Sequence, residues 1–157
     1  MRILAIESTC DETAAAIVTD SFEVLSSVVA SQEAWHQEFK GGVPEIAARA
    51  HVQTILPVID ETLKRAGLTL SELDAIAVAN EPGLAGSLLV GVVAAKALCV
   101  AHNIPLVAVN HLQAHIFACR LAAQKDVFPC VGLIASGGHS NLYCCHSPLD
   151  FEPLGGT

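Results

Sequence analysis

Two histidines, His111 and His115, stand four residues apart in a stretch of helical pattern that runs from His111 to Gln124. On a helix that spacing stacks both imidazoles on one face, where two ring nitrogens can meet one metal ion. Two ligands are half a site, and the same spacing also suits histidines that are merely exposed or hydrogen-bonded. The residues between them, Leu112, Gln113 and Ala114, exclude one chemistry. A zinc protease of the HExxH kind needs a glutamate beside the first histidine as general base, and none is there.

Other segments carry glycines, hydroxyls or carboxylates in suggestive order. Ser136-Gly137-Gly138-His139-Ser140 falls between two strand-like runs. Its paired glycines suit backbone N–H groups that cradle an anion, and equally suit a tight hairpin turn. Glu7-Ser8-Thr9-Cys10-Asp11-Glu12-Thr13 follows the first strand and offers Ser8, Thr9, Asp11 and Glu12 to a phosphate and its magnesium, or forms a polar hairpin. Pro82-Gly83-Leu84-Ala85-Gly86-Ser87 enters a long apolar run, as backbone donors at a helix start or as a packed helix start alone. Within Gly41 to His51, Glu45 and Arg49 have the spacing of a helical ion pair.

These residues need a scaffold, and the apolar pattern supplies one. Ile3 to Glu7, Ala14 to Thr19 and Val24 to Ser31 predict consecutive strands of a meander. Pro44 takes the favoured first-turn position of a helix. Ile46, Ala50, Ile55, Val58, Ile59 and Leu63 keep helical spacing up to Gly67, with Pro57 as a point of kinking or splitting. Leu84 to Ala101 is long and apolar enough to raise a membrane span, but Lys96 lies centrally and Pro82-Gly83 and Pro105 bracket it. The better expectation is a helix sandwiched in a layered core between strands Ala75 to Ala79 and Leu106 to Val109. Beyond the histidine helix, Pro129 to Ser136 and Ser140 to Cys145 predict a strand and its hairpin partner. Strands first, then alternating helices, predict an α/β fold with a mixed sheet and flanking helices.

Composition sets the outer limits. A chain of 157 residues that is 52% hydrophobic and 15% charged can bury a sizeable core, and its length predicts one domain. The opening carries no basic and apolar leader, so a cytoplasmic location is expected. Six cysteines without a CxxC pair argue against a disulfide framework and predict mostly buried thiols. A net charge of -8 disfavours nonspecific binding to phosphate backbones. Lys40, Arg49, Lys64 and Arg65 read as solvated helix charges more readily than as one basic patch.

In combination the blocks are specific. The order is Glu7 to Thr13, Gly41 to His51, Pro82-Gly83-Leu84 through Leu88-Leu89-Val90-Gly91, Val109-Asn110-His111-Leu112-Gln113-Ala114-His115, then Ser136-Gly137-Gly138-His139-Ser140. That order and its spacing resemble the amino-terminal half of the TsaD family of tRNA N6-adenosine threonylcarbamoyltransferases across the whole sequence. The resemblance implies a ribonuclease-H-like lobe of the actin, Hsp70 and sugar-kinase (ASKHA) superfamily over residues 1–157, with 151–157 opening a second lobe that the sequence lacks. It implies transfer of a threonylcarbamoyl group from threonylcarbamoyl-AMP to the adenosine beside the anticodon in tRNAs reading codons that begin with A.

On the same resemblance His111 and His115 are metal ligands, for iron(II) first and zinc second. Ile134, Ala135, Ser136, Gly137 and Gly138 line the acyl-adenylate site, and ATP or threonylcarbamoyl-AMP is the nucleotide. Partners are tRNA and TsaB-like and TsaE-like proteins, with no membrane. The sequence departs from the family pattern in reading Glu-Ser-Thr for Glu-Thr-Ser at residues 7–9, in placing Glu81 where glycine is common, and in having one residue fewer before Pro44. Two alternatives remain at this level: a non-catalytic TsaB-like scaffold, and an ATP-dependent kinase of the same superfamily.

Overall fold

Alternation of apolar residues along the first strands builds one side of a sheet: Leu4 and Ile6 on β1 (Arg2–Glu7), then Ala15 and Ile17 on β2 (Glu12–Thr19), all lie in the core. β3 (Val24–Ser31) completes the antiparallel meander. In the computed structural model residues 1–31, 44–136 and 139–157 are described. They fall into two compact units, Met1–His111 and Leu112–Thr157, where length alone predicted one domain.

In the first unit β4 (Ala75–Glu81) runs parallel to β1, and β5 (Leu106–Asn110) runs parallel to β4. The sheet order β3-β2-β1-β4-β5 is therefore mixed, as expected. Three parallel strands end on the same edge, which brings together the residues that follow β1, β4 and β5. Open α/β sheets bind ligands at such carboxyl ends.

Helix α1 (Pro44–Ala66) forms over the predicted range and holds Pro57 within one continuous element. Gly67, at φ 65°, ends it: its N–H donates to the Lys64 carbonyl, and that of Leu68 to the Leu63 carbonyl. A short 3-10 turn, Leu70–Glu72, leads into β4. α1 packs through Ile55, Val58, Ile59 and Leu63 against Leu4, Ile17 and Ile76. The basic residues of its last turn are solvated ion pairs, with Lys64 2.7 Å from Asp60 and Arg65 2.7 Å from Glu61.

Helix α2 (Ala85–His102) departs from expectation. It is not sandwiched: only Ser87, Gly91, Ala95 and Cys99 are buried, a stripe of small residues at a spacing of four. Leu89, Val93 and Val100 are exposed on it at 62%, 54% and 85%. Small side chains let the helix lie close on the sheet, and one narrow stripe suffices for that contact. Length and composition alone would let this helix cross a membrane.

The second unit has its own small core of Ile116, Ile134 and Cys145. Helix α3 (His111–Ala123) supplies Ile116, and the antiparallel strands β6 (Cys130–Ala135) and β7 (Ser140–Ser147) form the predicted hairpin. Phe117, Phe128 and Phe151 stack beside it with ring centroids 5.5 to 6.2 Å apart. Residues 151–157, expected from sequence to open a further lobe, contribute to β8 (Asp150–Gly156), which pairs with β7. All six cysteines are free, but only Cys99 and Cys145 are buried, fewer than expected.

Candidate functional site

The loop after β1 is held from several sides, and its sequence explains how. The Ser8 hydroxyl is fully buried and donates to the Ser87 carbonyl at 2.9 Å. The Leu84 N–H donates to the Thr9 carbonyl at 2.8 Å. A β-carbon at Gly83 would stand 2.7 Å from that carbonyl, and one at Gly91 would stand 2.4 Å from Ser8 Oγ. Both glycines are therefore needed for close approach, and the segment 82–87 works here as a packed helix start. The Cys10 carbonyl accepts from Ser87 Oγ at 3.2 Å and faces His51 Nε2 at 3.0 Å.

His51 was not singled out for chemistry, and it is the residue that ties α1 to this loop. It is completely buried, with Nδ1 2.7 Å from Thr13 Oγ1, which in turn lies 2.7 Å from Thr54 Oγ1. A carbonyl only accepts, so Nε2 carries a proton toward Cys10, and a neutral ring then accepts from Thr13 at Nδ1. The signal was in the sequence. His51 sits four residues before Ile55, on the buried stripe of α1.

Of the residues proposed for phosphate, Ser8 and Thr9 are buried and shape the loop, while Asp11 and Glu12 are exposed. The loop is strongly acidic. Desolvation first, then the Asp11 and Glu7 carboxylates, push the Cys10 thiol above its ordinary range. Such a field suits a cation, and accepts a phosphate only with a cation between them.

His111 stands at the end of β5 and opens α3. Its Nδ1 lies 3.1 Å from Glu7 Oε2 and 3.5 Å from Thr9 Oγ1, while Glu7 Oε1 accepts the Thr9 N–H at 2.6 Å. A carboxylate cannot donate, so the Nδ1 that faces Glu7 carries a proton. Metal-ligating histidines have this arrangement, with the second nitrogen donating to a carboxylate. His115 is exposed on the same helix. Among the described residues no group of three or more His, Cys, Asp or Glu is placed to hold a metal.

Within the second unit a cavity of about 500 Å³ is lined by His115, Ile116, Cys119, Ile134, Ala135 and Ser136, among others. It joins one predicted metal ligand to three of the predicted acyl-adenylate residues. The Ser136 N–H and hydroxyl both donate to the His139 carbonyl, at 3.0 and 3.2 Å, which closes the hairpin turn. Gly137 and Gly138 lie outside the described residues, as do Lys40 and Gly41-Gly42 and the side chain of Glu45.

The profile of the TsaD family, tRNA N6-adenosine threonylcarbamoyltransferase, matches residues 23–157. The chain belongs to the TsaD family. It is 57% identical to the tRNA N6-adenosine threonylcarbamoyltransferase of Rhodopirellula baltica over 99% of its own length and 44% of that protein. It is 53% identical to the enzyme of the same name from Bacillus subtilis, over 100% of its length and 45% of that relative. The chain spans about half the length of the curated relatives it matches.

Among solved structures it is similar to YeaZ from Pseudomonas aeruginosa, with a TM-score of 0.64 at 19% identity, covering 99% of this chain and 66% of YeaZ. It is also similar to the PPX-GPPA enzyme of Aquifex aeolicus, with a TM-score of 0.53 at 8% identity, covering 98% of this chain and 52% of that one. At these identities the likeness bears on fold alone, and the fold is the ASKHA type expected of a TsaD chain.

Proposed function

We propose that this TsaD chain supplies the metal-binding and acyl-adenylate-binding half of a tRNA N6-adenosine threonylcarbamoyltransferase. The observation that carries the reading is the cavity that joins His115 to Ile134, Ala135 and Ser136 in a chain matched by the family over residues 23–157. In the reaction the N6 amine of the adenosine beside the anticodon attacks the carbamoyl carbon of threonylcarbamoyl-AMP. A C–N bond forms, the bond from that carbon to the phosphate oxygen breaks, AMP leaves, and the amine loses a proton.

Each residue has a part. Ile134, Ala135, Ser136, Gly137 and Gly138 hold the adenylate so that its carbamoyl carbon is presented in register for attack. Asp11 and Glu12 engage the cation that accompanies the nucleotide phosphates, on a loop whose shape Ser8 and Thr9 maintain. His111 and His115 hold one divalent metal, iron(II) by preference and zinc as the alternative. When bound, that metal supplies Lewis-acid stabilisation of phosphate or carbamoyl oxygens.

The net charge of -8 leaves tRNA docking to surfaces beyond this chain's bulk field, consistent with work alongside TsaB-like and TsaE-like proteins in the cytoplasm. The test is direct binding. Calorimetry with threonylcarbamoyl-AMP should show Ala135→Phe weakening affinity by about tenfold or more, equivalent to roughly 1.4 kcal/mol, with an unchanged circular dichroism spectrum. Equal affinity in the folded variant would place the adenylate elsewhere.

A further inference from the structure

We infer that Cys130 and Cys145 form a reversible disulfide across β6 and β7, a redox-modification site in the second unit. Both residues lie at the open end of the hairpin, and the β6–β7 register sets them directly against each other. Directly opposed residues of an antiparallel pair project to the same face, with Cα atoms about 4.5 or 5.5 Å apart. Both separations fall inside the roughly 4.4–6.8 Å that a disulfide spans. Among the described residues no other two cysteines are strand partners. Cys144 adjoins Cys145 in sequence, but its partner on β6 is Val131, so it belongs to the other face of the sheet.

The surroundings give the two thiols different parts. Cys145 is completely buried in the small core with Ile116 and Ile134, and Cys130 is half-buried and packs against that core. A β-carbon at Gly132 would stand 3.4 Å from Cys145 Sγ, so this sulfur lies over β6 rather than away from it. Burial first, then the neighbouring Cys130 thiol, push the Cys145 thiol above its ordinary range. Cys145 is therefore sheltered and a poor first nucleophile. Cys130 also lines the cavity of the second unit, where a small oxidant can reach it. An accessible thiol beside a resolving one is the arrangement of a redox-sensing pair.

With hydrogen peroxide as the oxidant the chemistry balances. The Cys130 sulfur attacks one peroxide oxygen, the O–O bond breaks, and water leaves with the thiol proton, which gives a sulfenic acid. The Cys145 sulfur then attacks Cys130 Sγ. An S–S bond forms, the S–O bond breaks, and a second water carries off the hydroxyl and the Cys145 proton. Two thiols have lost two electrons and two protons to one peroxide. A small-molecule thiol reverses the change by thiol–disulfide exchange. The link staples β6, whose Gly132, Ile134 and Ala135 line the cavity, to its hairpin partner. Nothing in these steps depends on what the cavity binds.

The experiment treats reduced, full-length protein with hydrogen peroxide, blocks the remaining thiols with iodoacetamide under denaturing conditions, and maps the cysteines by mass spectrometry. Chymotrypsin cuts after Leu133 and Tyr143 and so parts the two cysteines. The expected product is a peptide pair joined through Cys130 and Cys145, lighter by two hydrogen atoms than its separate parts, with Cys144 alkylated, and lost on treatment with dithiothreitol. Cys144→Ser should form the same link, and Cys130→Ser should leave Cys145 as a free thiol. A link through Cys144 or Cys119 overturns the assignment. So does Cys130 carried on to sulfinic acid while Cys145 is alkylated, or both residues alkylated after a peroxide dose that fully oxidises free cysteine. Each of these is read on the wild type, so the outcome holds even where a variant fails to fold.

Discussion

Replacing both His111 and His115 with alanine is expected to lower affinity for iron(II) or zinc by more than about 100-fold, beyond the usual range for removing a single carboxylate partner. The reason is the donor set. α3 carries both imidazoles at a spacing of four, and no third His, Cys, Asp or Glu joins a metal group among the described residues. Without the pair, the acidic loop around Glu7, Asp11 and Glu12 keeps hard oxygen donors that hold transition metals less well. Equilibrium dialysis followed by elemental analysis measures the effect, and thermal melting adds a second readout, because a metal bound to the folded state raises stability by mass action. A double variant that keeps one tightly held metal would refute the assignment.

Gly91→Val is expected to destabilise the first unit by about 2–4 kcal/mol, from overpacking of roughly 1–3 kcal/mol plus about one kcal/mol for a disturbed hydrogen bond. A β-carbon there would stand 2.4 Å from Ser8 Oγ and 3.4 Å from Ser8 Cβ. Ser8 cannot swing aside, since it is fully buried and its hydroxyl is committed to the Ser87 carbonyl at 2.9 Å. The strain falls on the loop that also carries Glu7 and Thr9, so the variant should lose metal affinity along with stability. Gly86→Ala is the control. Its β-carbon would stand 3.2 Å from the Ala48 methyl, a tight contact that a shift of a few tenths of an ångström relieves, so a smaller loss is expected. Urea denaturation of the two variants distinguishes the sites, and equal stability would mean that α2 does not press on Ser8 as described.

What the sequence disclosed, and what it withheld, follows from the range of the interactions. α1 was legible from Pro44 to Gly67 because a proline start, a glycine stop and helical spacing are local signals. The meander and the β6–β7 hairpin were legible for the same reason. α2 was misjudged because its apolar composition gave no phase. The small stripe of Ser87, Gly91, Ala95 and Cys99 decides which side is buried, and its meaning depends on how closely the sheet approaches. β8 was obscured by Pro153 and by Gly155-Gly156, poor strand formers that pairing with β7 overrides.

At the site, the histidine pair and Ser136 stood out by residue type. The partners that orient them did not. Glu7 meets His111 across 104 positions, and His51 meets Cys10 across 41, contacts that only strand order can create. His51 also reads as polar, although its place between Ala47 and Ile55 on the buried stripe of α1 marked it as a core residue needing partners.

The most direct test of the central claim is transfer itself. Full-length protein, loaded with iron(II) or zinc and combined with TsaB-like and TsaE-like partners, is given chemically made threonylcarbamoyl-AMP and unmodified tRNA, and the digested tRNA is analysed for modified adenosine by mass spectrometry. The account predicts product from the wild type and at least a 100-fold lower rate from the His111→Ala, His115→Ala variant, since Lewis-acid stabilisation is worth several kcal/mol and each ~1.4 kcal/mol is tenfold in rate. Equal rates from the two proteins, or no product from metal-loaded wild type while the adenylate remains intact, would contradict it.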